Sequence, residues 1–492
     1  MPPRLRARTT WNLLVFILAI CLAAVPRPGQ AAPIGQSNCP PPITWREIRN
    51  GNFVVIHSAE TGDSVLFAQG VELNYLPALE TSYQNFGEVF AAELDLPVSI
   101  RIYPDLIYFY CLNPGALTVS PATTHTHVAA REIALIRGNI YGNLANWEAR
   151  AVNALQAELA ILFAEKASAG NAPPGLIAGF GGYAEDPAQS FGWRYAESGL
   201  GDVPTLDLQT LWESRAAYED PAAELQATSA AAYLIDRYGW LDFQAFLAAL
   251  TDTGAYAQAL QDVYGVGLAQ IEAGWRSYFP LYVSERWQVN VFHNYDLSAI
   301  ETLLAAGAYA DAAGQLEEAV MVIAVFESGS KLGQAQALAA VAQTGREAGA
   351  LTGQARQALQ NAEYQNAIAL ANEAESLYRQ IEDERRLDEL AEYRVWAQEV
   401  LDLRAEAAAL QESRGIFNLI ALRRLQVIGQ RLGELGDAEG VRQVEASLGV
   451  LTQSQRLLIQ VTIFVVIFMV LGLTLMLFFF LRKPAAPEGR LS

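Results

Sequence analysis

Apolar residues recur at helical spacing through most of this chain, and at strand spacing only near its start. Residues 53–57, 98–103 and 131–136 are short runs rich in β-branched and aromatic side chains, which predict strands. Between the first two, Val71, Tyr75, Leu79, Tyr83, Phe86 and Phe90 fall three or four apart, predicting helix over 63–92. Pro77 lies inside that run, so the helix is either kinked there or succeeded by a second one starting near Pro77. Val152, Leu155, Leu159, Leu162 and Phe163 mark a further helix of about six turns. A Gly/Asn/Pro break at 167–175, with Pro173 and Pro174, ends it and starts another. Residues 206–282 read as helical. Residues 297–452 lack proline and are rich in Ala, Leu, Gln and Glu, so helices dominate there too.

The longest apolar run is near the end. Residues 457–481 are interrupted only by Gln460, Thr462, Gly472 and Thr474. At about 1.5 Å per residue they span a hydrocarbon core of roughly 30 Å. Arg482 and Lys483 follow at once, which puts the tail 482–492 in the cytoplasm by the positive-inside rule. At the other end, Arg4, Arg6 and Arg8 precede an apolar stretch at 13–24 and the small-residue site Gly29-Gln30-Ala31. Residues 1–31 therefore read as a secretory signal. Cys21 belongs to its apolar stretch; Ile20 before it is too bulky for a lipidation site. The expectation is a single-pass, type I protein of the cell membrane with the bulk of the chain outside the cytoplasm.

Charge and cysteine content refine this picture. The formal net charge of −20 disfavours nucleic acid and anionic lipid headgroups as partners. Beyond the signal, two cysteines remain, Cys39 and Cys111. In an exported chain they allow one disulfide, the alternative being two buried free thiols. The bond is the expectation, because it would tie the Pro-rich arm 32–42 to the first domain.

Two motifs carry a resemblance. Ala157-Glu158-Leu159-Ala160-Ile161 resembles the His-Glu-Leu-x-His helix of the peptidase MA-like family, the gluzincin zinc proteases. After the Pro-containing break, Gly175-Leu176-Ile177-Ala178-Gly179-Phe180-Gly181-Gly182-Tyr183 resembles that family's Trp-Leu-x-Glu-Gly-x-Ala-Glu-Tyr helix. Two later helices are similar to its helical lobe: Tyr233-Leu234 with Tyr238-Gly239, and Glu272-x-x-Trp275-Arg276-x-Tyr278. The strand–helix–strand–strand–helix order of 43–144 resembles its sheet lobe. The resemblance covers about 42–286. It implies an α+β, gluzincin-like domain over 43–290, with an N-terminal mixed-sheet lobe and a helical lobe. An all-α helical-hairpin, TPR-like or coiled stalk region over 297–452 and one transmembrane helix follow.

In that register the family's zinc-binding histidines fall on Ala157 and Ile161, and its glutamate ligand on Ala178. Gly182 stands at the family's second Glu. Only the general base remains, as Glu158. Methyl and sec-butyl groups donate no lone pair, so no zinc and no other cofactor is expected. Without a metal, Glu158 is a base with no activated nucleophile. It reads better as a hydrogen-bonded or solvated carboxylate in a cleft. The resemblance thus points to a non-catalytic pseudopeptidase that binds or scaffolds a protein or peptide partner. Two alternatives stand beside it: an active metallopeptidase or hydrolase with an unrecognised site, and a purely structural helical stalk. No second His-Glu-x-x-His exists, since none of His57, His125, His127 and His293 has a neighbouring Glu.

Other candidates are weaker. His125-Thr126-His127 could place two imidazoles on one face of a strand, a metal fragment without an evident third ligand. His57, at a strand end, reads as structural. Gly179, Gly181 and Gly182 lack the lysine of a phosphate loop and read as small residues packing helix on helix; Tyr183 reads as structural. Segments 306–312 and 361–367 look alike around Tyr309 and Tyr364, yet these are 55 apart, which does not support a regular array of 34-residue hairpins. The charged run 379–394 reads as a solvated helix face with i,i+4 pairs, and 433–440 as a turn between the last two helices.

Overall fold

The computed structural model describes residues 39–59, 62–95, 97–113, 124–127, 132–136, 147–188, 205–214, 220–327, 329–412 and 419–481. Residues 1–31, read above as a signal and containing Cys21, and the tail 482–492 lie outside the described residues. The chain is mostly helical and divides into two compact units. One is formed by Met1–Ile300 and Gly314–Gln336, the other by Glu301–Ala313 and Ala337–Ser492.

The first unit is built on a five-stranded mixed sheet in the order β1-β2-β3-β5-β4. β1 (Trp45–Asn50) turns back on β2 (Phe53–Ser58) through Gly51, whose φ of +56° suits glycine. Glu80 holds that turn, accepting from Asn52 N at 2.6 Å and Asn52 Nδ2 at 2.8 Å. Helix α1 (Gly62–Gly70), a π-helical turn at Val71–Tyr75 and α2 (Leu76–Phe90) cross over to β3 (Val98–Tyr103), which pairs parallel to β2. Pro77 falls in the first turn of α2, where its missing N–H leaves no bond unmade. Of the two readings of Pro77, the second helix is the one found, joined to the first by a π turn.

After β3 come α3 (Leu106–Leu112), β4 (Thr124–His127) and β5 (Glu132–Ile136). β5 runs parallel to β3 and antiparallel to β4. Cys111 on α3 is disulfide-bonded to Cys39. The strand order read from the sequence needs correcting: β1, α3 and β4 were not in it. β1 reads Trp-Arg-Glu-Ile-Arg-Asn because it is a largely exposed edge strand, so no buried face imposes an apolar alternation.

Helices complete the unit: α4 (Trp147–Ala167), α5 (Pro174–Ala184), α6 (Leu208–Glu213), α7 (Pro221–Tyr238), α8 (Trp240–Thr253), α9 (Tyr256–Tyr264) and α10 (Leu268–Ser284). One core joins sheet and helices, with Val55, Ile100 and Leu135 meeting Leu155, Phe163, Phe180 and Trp240. Its aromatic centre stacks Phe90 on Phe163 at 5.9 Å and Phe180 on Trp240 at 5.9 Å. Next come α11 (Ser298–Ala306) and α12 (Tyr309–Phe326). The last part of α12 enters this core: Phe326 lies 5.4 Å from Phe86 and 4.8 Å from Phe292. Buried Glu318 caps α8, accepting from Trp240 N at 2.9 Å and Leu241 N at 3.2 Å.

The second unit takes in most of α13 (Ser330–Gln360), then α14 (Tyr364–Gln380), α15 (Leu387–Glu412), α16 (Leu419–Glu434) and α17 (Ala438–Leu481). The run 379–394 is not one helix face, a second correction. It holds the end of α14, a turn and the start of α15. Glu382 takes φ +57° and Asp383 N returns to Tyr378 O at 2.9 Å, which terminates α14. The i,i+4 pairs of this run are split between the two helices: Arg379 with Glu375 at 2.6 Å on α14, and Tyr393, which donates to Glu389, on α15. α17 continues without a break from this unit through residues 457–481. That stretch is long and apolar enough to cross a membrane by length and composition.

Candidate functional site

The two motif helices, α4 and α5, pack directly on each other. Ala157 and Ile161 stand one turn apart on α4, and Ala178 lies on α5. All three are buried, at 6 %, 5 % and 6 % exposure. Ile161 reaches α5: a Cβ on Gly181 would stand 2.6 Å from Ile161 Cδ1 and 3.7 Å from Ala157 O. The glycine therefore lets the two helices approach, and the isoleucine side chain fills the space this leaves. On its other face α5 meets α7, where a Cβ on Gly179 would stand 2.3 Å from Ala227 O. These glycines are close-packing positions between helices rather than a cradle for phosphate.

Both strands of chain leaving this pair are tied down. Asn153, buried one turn before Ala157, accepts from Asp186 N at 2.6 Å and donates to Asp186 O at 3.3 Å. Tyr183 is buried, and its hydroxyl accepts from Val291 N at 3.0 Å while its carbonyl accepts from Asn290 Nδ2. Burial pushes the Tyr183 phenol well above its usual range. His293 Nε2 pairs with Ala184 O at 3.0 Å. Gln156 donates to Ser82 Oγ at 2.8 Å, joining α4 to α2. Glu158 is half-buried on α4. Along the outer sheet edge, β4 lies beside α4.

The remaining histidines separate. His57 is buried and its Nδ1 pairs with Ser58 O at 2.9 Å, within its own strand end. The backbone of His125 and His127 forms part of β4, and their side chains lie outside what is described. Among the described residues, no group of three or more His, Cys, Asp or Glu side chains is gathered so as to hold a metal. The zinc ion implied by the family resemblance does not fit the residues present. Its three ligand positions carry two methyl groups and a sec-butyl group, and Ile161 is packed against Gly181.

Sequence reasoning missed Asn153, Asn290 and the buried polar cluster around Asp236. That carboxylate accepts from Tyr278 Oη at 2.6 Å and Arg286 at 3.3 Å, and Arg286 also reaches Asp296 at 2.8 Å. Burial raises the Asp236 carboxyl against the opposing pull of Tyr278 and Arg286. The available signal was a polar residue set inside an apolar helical stretch, which identifies a buried polar position but not its partner. No protein-family model, no curated protein and no solved structure matches this chain.

Proposed function

We propose that this is a membrane-anchored, extracytoplasmic pseudopeptidase: a gluzincin-like domain, degenerate at its zinc ligands, that holds a protein or peptide partner without cleaving it. The observation that carries this reading is the buried trio Ala157, Ile161 and Ala178, with Ile161 seated on Gly181. No metal means no bound water of lowered pKa and no polarised carbonyl, so Glu158 has nothing to activate. The architecture supports a binding role: a mixed sheet precedes the helix pair, and β4, an edge strand among the described residues, lies beside α4, where it offers backbone groups to an extended peptide. The apolar end of α17 is the membrane anchor, and Arg482 and Lys483 favour a cytoplasmic tail.

A second role is compatible with the first. α17 is one helix of 44 residues, about 66 Å at 1.5 Å per residue, so the helical unit runs rigidly into the anchor as a stalk. The test of the main reading is zinc content of the full-length chain in detergent after zinc exposure and dialysis. No stoichiometric zinc is expected in the natural chain. The triple variant Ala157→His, Ile161→His, Ala178→Glu is expected to gain zinc. One tightly held zinc in the natural chain would sink the reading.

A further inference from the structure

The last turn of α4 borders a pocket of about 400 Å³. Leu94, Val98 and Leu162, all buried, supply apolar walls; Asp95, Glu165 and Lys166 supply its charged groups. Two of these charges answer each other. Lys166 Nζ lies 3.5 Å from Asp95 Oδ1, and both side chains are about half exposed, so this ion pair sits toward solvent.

Glu165 stands apart from that pair. It is partly buried in the final turn of α4, and a Cβ on Gly170 would stand 3.9 Å from its Oε2. The negative end of a helix dipole disfavours a further negative charge there. Burial pushes the Glu165 carboxyl up to about 7. Lys166, committed to Asp95, does not offset it.

A pocket with apolar walls and one uncompensated carboxyl is completed by a cation carrying a hydrocarbon stem. None of the described lining residues is aromatic, which removes the ring faces that a quaternary ammonium uses. We propose that this pocket binds an aliphatic primary ammonium, the chemistry of a lysine side chain. Its stem lies on Leu94, Val98 and Leu162 and its ammonium on Glu165. The assignment is independent of the pseudopeptidase reading, because it uses neither Glu158 nor the former zinc positions.

Binding requires an ionised Glu165 and a protonated amine. A carboxyl titrating near 7 is about ten times more ionised at pH 8 than at pH 6, while an alkylamine near 10.5 stays charged throughout. The other charged residues lining the pocket are Asp95, from the segment before β3, and Lys166 on α4.

The experiment is calorimetric titration of the full-length chain in detergent with n-pentylamine, Nα-acetyl-lysine amide, n-pentanol and pentanoate, at pH 6 and pH 8. Both amines are expected to bind about tenfold more tightly at pH 8, with pentanol insensitive to pH. Glu165→Gln is expected to abolish the pH dependence and weaken amine binding at pH 8 at least tenfold. Binding of the lysine derivative supports a protein side chain as the source; binding of pentylamine alone supports a small free amine. Equal affinity for pentylamine and pentanol, tighter binding of pentanoate, or unchanged affinity in Glu165→Gln would overturn the proposal. So would no amine binding up to about 10 mM.

Discussion

Tyr309 donates its hydroxyl proton to Asp383 at 2.6 Å, joining positions 74 residues apart. Arg385 grips the same carboxylate at 2.7 and 2.9 Å and adds a bond to the Tyr309 oxygen at 3.0 Å. Tyr364 stands in the same relation to Asp437, 73 residues on, with Arg404 holding that carboxylate at 2.7 and 2.6 Å. Each tyrosine opens a helix just after a left-handed residue, Gly307 at φ +78° and Ala362 at φ +62°. Each aspartate follows another, Glu382 at +57° and Gly436 at +77°. The likeness between 306–312 and 361–367 is therefore a repeated clasp between helix turns.

Breaking the first clasp tests its weight. Asp383→Asn leaves Arg385 without its charge partner, and the helical unit is expected to lose about 1–3 kcal/mol. Arg385 and Tyr309 hold the Asp383 carboxyl down to about 2. The stability this supplies is present above the unfolded value near 4 and disappears as pH falls toward 2. Urea unfolding between pH 5 and pH 2, followed by circular dichroism, should decline more steeply in the natural chain than in the variant.

The packed pair α4 and α5 makes a graded prediction. At Gly179 an added methyl meets the Ala227 backbone, which cannot swing aside, whereas at Gly181 it meets the end of the Ile161 side chain. Gly179→Ala should therefore destabilise by at least about 3 kcal/mol and Gly181→Ala by about 1–2 kcal/mol. Ile161→Ala alone should cost about 2–5 kcal/mol through its cavity. Combined with Gly181→Ala it should cost less than the sum, as measured by a double-mutant unfolding cycle.

Glu165 has a consequence for stability at neutral pH. Its carboxyl is raised from 4.5 to about 7, so the folded chain holds a proton that the unfolded chain releases. Stability from this group is full below about 4.5 and falls as pH rises through 7. Glu165→Gln removes that slope, and the variant should exceed the natural chain by about 1–3 kcal/mol at pH 8. Matched denaturant titrations at pH 5 and pH 8 would reveal it; parallel behaviour would contradict it.

The Cys39–Cys111 bond closes a loop with a sequence separation of 72. Loop entropy assigns such a bond about 4 kcal/mol at most, with about 2–4 kcal/mol the common range. Replacing both cysteines with serine should lower the first unit's stability by that amount. Reductant should do the same to the natural chain and leave the variant unchanged, as read by thermal unfolding.

Anchoring by the end of α17 is checked with one charge. Leu471→Arg, near the middle of 457–481, should cost about 3 kcal/mol of insertion and shift the chain toward the carbonate-extractable fraction. Leu448→Arg, ahead of the span, should leave extraction as it was.

Local pattern alone identified the longer helices, the inner strands and the apolar end of α17, because each reflects a periodicity within one segment; the short α3 was missed. Ala157, Ile161 and Ala178 were singled out only by the resemblance to the peptidase MA-like motifs; no periodicity within either helix marks them. The tertiary structure decided what these positions became. Whether Ile161 fills the gap left by Gly181 depends on the distance between two helices, which neither helix encodes alone. The same holds for Asp383, a surface charge in its own segment and a buried partner only once Tyr309 is folded against it. Strand β1 escaped notice because an exposed edge strand has no face that burial must make apolar, and Glu165 because a carboxylate on a helix reads as solvated until Leu94, Val98 and Leu162 close around it. Periodicity records which face of an element is buried; the identity of what lies against that face is set by contacts between residues far apart in the chain.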